Sequence, residues 1–215
     1  MLIARIGRDG LLDYLQRQLT NFFPDGSEYR ALLNTHLDAA LQRLRHCINA
    51  VRPWQRDAFD VLHSSQYCQF LYYLANTVWR ESGQTELPTK LFLLNKALNG
   101  IDCFYEIQMP DVFYIGHSVG IVLAKASYGE RLVLYQNSTV GKNHGVAPVL
   151  EDGVVLYANS AVIGGCRVGA GTVLSQGCSL VNHDAPAGVL VFSGVAGKPV
   201  FKPQTRPPLA QFFRD

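Results

Sequence analysis

The stretch Leu150-Glu-Asp-Gly153-Val-Val-Leu156-Tyr-Ala-Asn159-Ser-Ala-Val162-Ile-Gly-Gly165-Cys-Arg-Val168-Gly-Ala-Gly171-Thr-Val-Leu174-Ser-Gln-Gly177-Cys-Ser-Leu180 repeats with a period of six. Every sixth residue gives Leu150, Leu156, Val162, Val168, Leu174 and Leu180. Neither the 3.6-residue period of a helix nor the alternation of a strand produces such a column. Three residues after these positions stand Gly153, Asn159, Gly165, Gly171 and Gly177. Glycine and asparagine accept a left-handed backbone cheaply, so the pattern predicts a corner every six residues. Three such edges make a triangular coil of about eighteen residues, and stacked coils bury the aliphatic column.

The same period runs upstream through Val122, Tyr128, Leu134 and Val140, with Asn137 and Asn143 in the corner places. Val140 and Leu150 are ten residues apart, which is not a multiple of six. The register therefore breaks within Gly141-Lys142-Asn143-His144-Gly145-Val146-Ala147-Pro148, where a loop must leave the coil. Function in a solenoid collects at such departures, because the repeated edges are occupied with packing.

Residues preceding the repeats read as helical. Leu11, Leu12, Leu15 and Leu19 mark an amphipathic helix ended by Pro24. Leu33, Leu37, Ala40, Leu44 and Ile48 mark a second, closed by Pro53. Asp57 to Trp79 reads as a third, apolar on more than one face and therefore central. A fourth opens at Leu87-Pro88 and stops at Asn99-Gly100. The expected organisation is α+β: a helical domain over residues 1–105, a left-handed parallel β-helix of hexapeptide repeats over 106–200, and a C-terminal tail over 201–215.

Charge is nearly balanced, with 19 basic and 17 acidic residues, which argues against nucleic acid or an anionic membrane as partner. No apolar run reaches a membrane span and the opening residues lack a secretory pattern, so the expected location is cytoplasmic. The five cysteines lack metal-type spacing and read as buried thiols. His36, His46 and His63 read as structural or solvated.

His117 stands apart. In Tyr114-Ile115-Gly116-His117-Ser118-Val119-Gly120-Ile121-Val122 it lies two residues out of phase with the Ile115, Ile121 positions, so it should point off the coil. The run resembles the serine acetyltransferase family, whose Asp-His-x-x-Gly motif is followed by Gln-x-x-Thr-[Leu/Val]-Gly, here Gln136-Asn137-Ser138-Thr139-Val140-Gly141. The likeness extends to Ala196-Gly197-Lys198-Pro199. Asn95 to Asp102 and Tyr105 to Phe113 are nearer to the serine-acetyltransferase-like proteins of polysaccharide gene clusters.

The resemblance implies acetyl-CoA as co-substrate, no metal, and a homotrimer or dimer of trimers with sites between subunits. Moving an acetyl group to a hydroxyl needs a base that is neutral near pH 7, and imidazole qualifies. His117 is the expected general base. A carboxylate orienting it is sought first at Glu106, in Tyr105-Glu106-Ile107, then at Asp111 and Asp102. The family's second histidine aligns with Ala147, leaving His144 as the replacement; the arginine before it is replaced by Val146, which opens the acceptor to L-serine or a sugar hydroxyl. The pantetheine arm is expected at Gly141 and Ala158, and a coenzyme phosphate at Lys198. A non-catalytic scaffold is the alternative from another class. A zinc hydratase would require His117, His144 and His183 to converge.

Overall fold

The computed structural model describes residues 1–214, and these form two compact units. The first comprises Met1–Asn49 with Trp54–Glu106, the second Ala50–Pro53 with the residues from Ile107 on.

Four helices build the first unit: α1 (Gly7–Phe22), α2 (Arg30–Ala50), α3 (Ser64–Ser82) and α4 (Glu86–Asn99). Leu11, Leu15 and Leu19 of α1 and Leu33, Leu37, Leu44 and Ile48 of α2 form the inward stripes that their spacing predicts. Helix α3 is buried on every side from Ser65 to Val78, as a central helix should be. Asn95 Nδ2 on α4 donates to the Cys68 carbonyl at 3.0 Å and ties α4 to α3. Gly83 and Gly100 end α3 and α4 in left-handed conformations, at φ 69° and 65°.

Helix α3 begins seven residues later than the apolar pattern predicts. Ala58–Asp60 instead forms a short strand parallel to Leu2–Ala4, a pairing to which the segment's own propensity gives no clue. His63 then caps the helix, its Nδ1 accepting from the Gln66 amide at 3.4 Å. His36 is also structural, buried on α2 with Nδ1 2.6 Å from Glu81 Oε2.

The second unit is a parallel β-solenoid of about five turns with three faces. One face stacks Phe113–Ile115, Leu132–Leu134, Val155–Leu156, Val173–Leu174 and Val189–Ser193 in parallel. Another stacks Val122–Leu123, Thr139–Gly141, Ala161–Ile163 and Ser179–Val181. The last stacks Ser127–Tyr128, Val149–Leu150 and Arg167–Val168. The column from Leu150 to Leu180 is buried throughout.

Three details of phase differ from the expectation, the first being that the corner expected at Asn143 turns left-handed at His144 instead. Leu123, not Val122, pairs with Val140 and faces inward, while Val122 is 45% exposed. The corner between Val162 and Val168 turns at Gly164 (φ 79°) rather than Gly165. The register break is as expected: Val162 pairs with Leu180, 18 residues on, but Val140 pairs with Val162, 22 residues on. The four additional residues project as a hairpin tip, Asn143 and Val146 exchanging backbone hydrogen bonds of 2.9 Å across His144 (φ 47°) and Gly145 (φ 81°). Two consecutive left-handed residues define a type I′ turn.

Residues 199–214 fold back along the solenoid. Pro199–Pro203 pairs antiparallel with Val189–Ser193. A short helical turn at Pro208–Gln211 follows. Phe213 bridges Val51, and the Arg214 guanidinium donates to the carbonyls of Val51 and Arg52.

Candidate active site

The corner that carries His117 follows the strand Phe113–Ile115. Ile115 and Ile121 are both buried, so the chain between them must bulge outward, and His117 is exposed there. The bulge is fixed by its backbone: Gly116 N–H donates to the Leu134 carbonyl at 2.9 Å, and the Val119 carbonyl accepts from Asn137 at 2.9 Å. Gly120 completes the turn at φ 75°.

Tyrosines wall the corner. Tyr135 follows Leu134, and Tyr157 follows Leu156 on the next coil, so register places them one above the other, with ring centroids 5.3 Å apart. Tyr114 approaches Tyr135 edge-on at 6.4 Å, and the His117 ring does so at 6.3 Å. Phe212, from the returning C-terminal segment, lies 5.6 Å from Tyr114 and 6.2 Å from Tyr135. Gln211 Nε2 donates to the Tyr157 hydroxyl at 3.3 Å. Burial pushes the Tyr114 and Tyr135 hydroxyls above the usual phenol range, so both stay protonated at physiological pH. Sequence reading missed this wall, although its signal was there: a tyrosine directly after a core leucine on two successive coils.

Gln136 follows Tyr135 at this corner. Its Oε1 is buried without a hydrogen-bond partner.

The remaining candidates are spread out. Asp111 and His117 stand on either side of the strand Phe113–Ile115. Among the described residues of the second unit, no carboxylate reaches the His117 imidazole. Glu106 and Asp102 belong to the first unit, where Asp102 pairs with Lys96 at 2.6 Å. His144 is exposed on the hairpin tip. Gly141 is half-buried and paired with Ile163, its carbonyl accepting from Gly164 at 2.9 Å. Ala158, at the corner after Tyr157, accepts from Gly177 at 3.0 Å. Lys198 lines a cleft of about 580 Å³ with Val181, His183 and Pro199. Among the described residues, no three His, Cys, Asp or Glu side chains group as metal ligands, and no helix is long and apolar enough to cross a membrane.

No family model matches the chain. Among curated proteins it is similar to a serine acetyltransferase of Synechococcus elongatus, 27% identical over 128 residues covering 56% of this chain and 50% of that protein. Serine acetyltransferase 4 of Arabidopsis thaliana is 29% identical over 145 residues, 65% of this chain and 39% of that one. The chain thus spans half or less of the length of these relatives. Among solved structures, serine acetyltransferase from Brucella abortus superposes with a TM-score of 0.72 at 19% identity, over 91% of this chain and 85% of that one. The Vibrio cholerae enzyme gives 0.70 at 20% identity, over 94% and 83%. The Neisseria gonorrhoeae enzyme, solved in complex with serine, gives 0.67 at 18% identity, over 91% and 85%. The chain is therefore a sequence homologue of serine acetyltransferases and shares their fold.

Proposed function

We propose that this chain is an acetyl-CoA-dependent O-acetyltransferase in which His117 is the general base and L-serine the acceptor. The observation that carries the reading is His117 itself, the exposed histidine on a coil corner where the packing pattern has no use for one. In this reading the imidazole takes the proton of the acceptor hydroxyl as its oxygen attacks the thioester carbonyl, and returns it to the departing thiolate. Gly141 and Ala158 let a pantetheine arm approach the backbone closely, and Lys198 supplies charge for a coenzyme phosphate. Glu106, or Asp111 from a neighbouring chain, would orient His117, and His144 would reach a neighbour's site from its hairpin tip.

Those last roles need a trimer, and the proposed interface is the face bearing Val122 and Val181, which are 45% and 53% exposed, beside Val146 on the tip at 54%. Exposed valines along one sheet face support burial against further copies. A sugar hydroxyl is the second acceptor reading, favoured by Val146 standing where an arginine would read a carboxylate.

The test is thiol release from acetyl-CoA with L-serine in one series and sugars and nucleotide sugars in another. We expect turnover with serine, and His117→Ala should lower kcat by at least about 100-fold, the usual worth of a general base. Turnover with a sugar alone would move the acceptor to the second reading, and no turnover with any acceptor would leave a scaffold.

A further inference from the structure

We propose that Tyr135 is a positioning residue for His117, acting beside the orienting carboxylate, its ring occupying the space that a side chain at position 116 would fill. The inference rests on His117 being the base.

Gly116 is the first observation. Its φ is not among the positive values of the chain, so its backbone does not require glycine. What requires glycine is the ring above it: a Cβ at 116 would stand 2.6 Å from Tyr135 Cε1, 2.9 Å from Cδ1 and 3.0 Å from Cζ, closer than carbon atoms approach. The ring is packed at 5.3 Å by Tyr157, 6.2 Å by Phe212 and 6.4 Å by Tyr114, so it leaves that place only by giving up those contacts.

The second observation concerns the imidazole. An exposed histidine on a bulge has free rotamers, and an unguided base is slow because proton transfer requires hydrogen-bond geometry. Within the second unit no carboxylate fixes this one, and the contact it makes is edge-on with Tyr135, at 6.3 Å and 64°. Aromatic pairs prefer that arrangement, and the preference biases a rotamer severalfold. The glycine thus admits the ring, the packed rings hold it, and its edge aims the base.

The experiment compares Tyr135→Phe, Tyr135→Leu, Gly116→Ala and the double variant Gly116→Ala/Tyr135→Leu in the full chain. Tyr135→Phe keeps the ring and should keep kcat. Tyr135→Leu should lower kcat about 10- to 100-fold, the scale of a misplaced catalytic group, with KM for acetyl-CoA unchanged. Gly116→Ala should do the same by displacing the ring, and the double variant should be no worse than Tyr135→Leu, since the clash has gone. In histidine-labelled protein without substrate, the His117 imidazole C–H signals should show a ring-current shift that survives Tyr135→Phe and vanishes in Tyr135→Leu and Gly116→Ala. An unmoved His117 signal in Tyr135→Leu, additive losses in the double variant, or a loss confined to KM would each overturn the proposal. Activity retained in His117→Ala would instead sink the reading of His117 as base, with the NMR result still reporting the contact.

Discussion

At Gly120 the backbone runs at φ 75°, and a Cβ there would run into Asn137 Oδ1, whose own Nδ2 donates to Asn159 Oδ1 at 2.9 Å. Gly171 has nearly the same backbone, φ 68°, with nothing within 4 Å of an added Cβ. Gly171→Ala should therefore cost only the left-handed strain, about 1–2 kcal/mol. Gly120→Ala should cost more, and chemical unfolding of the two variants measures the difference. The hexad pattern located such corners to within one residue. It chose Gly165 over Gly164 because a strict period of six puts the corner three residues after Val162, and Val122 over Leu123 because the edge to Tyr128 is one residue shorter than the repeat. The exposed position of His117 off the coil was legible because it broke the phase. Tyr135 was not, because its partners Gly116, Tyr157 and Phe212 are distant in sequence and meet only through register and the returning C-terminal segment.

At the scale of elements, the turn between α1 and α2 is pinned to α4 by charge. Lys90 donates to Asp25 and to the Tyr29 hydroxyl, and lies 3.3 Å from Glu86. Its ammonium, with the Ser27 backbone N–H and hydroxyl, holds the Asp25 carboxyl down at about 2, and Tyr29 followed by Lys90 lowers Glu86. A carboxyl depressed in the folded state stabilises above the ordinary carboxylate range, around pH 4, and that stability is lost as pH falls through the folded value. Wild-type protein should thus lose resistance to urea between about pH 4 and pH 2. Lys90→Met should flatten that loss, which paired urea midpoints at pH 7 and pH 2.5 would check. Neither this cluster nor the strand Ala58–Asp60 was legible beforehand. Periodicity reports which side of an element is apolar, whereas both features depend on which elements meet. The helices were legible because their apolar stripes and glycine stops are local.

For the whole molecule, the five buried thiols form a built-in reporter: Cys47, Cys68 and Cys103 lie in the first unit, Cys166 and Cys178 in the second. Burial pushes Cys68 up to about 12 and raises Cys103 and Cys178, so thiolate is scarce as well as inaccessible. Folded protein should resist a disulfide reagent at pH 8. In rising denaturant, mass spectrometry should find the cysteines reacting in two groups divided by unit, and a single scattered order would contradict two independent cores. The solenoid was evident from the repeats, but the returning segment was not, since residues 204–214 carry no period and Phe213 meets Val51 across most of the sequence.

The antiparallel strand Pro199–Pro203 also has a colloidal meaning. A stack of parallel coils ends in a row of unpaired amides and carbonyls, a template on which another molecule's coil can add, and then another, into a fibre. Here the outermost strand of that face runs against the grain of the stack, carries Pro199 and Pro203 without N–H groups, and presents the exposed charge of Lys202. Growth from that end is blocked on one side of the triangle by geometry, missing donors and repulsion together, so a fold built by repetition has a defined last repeat.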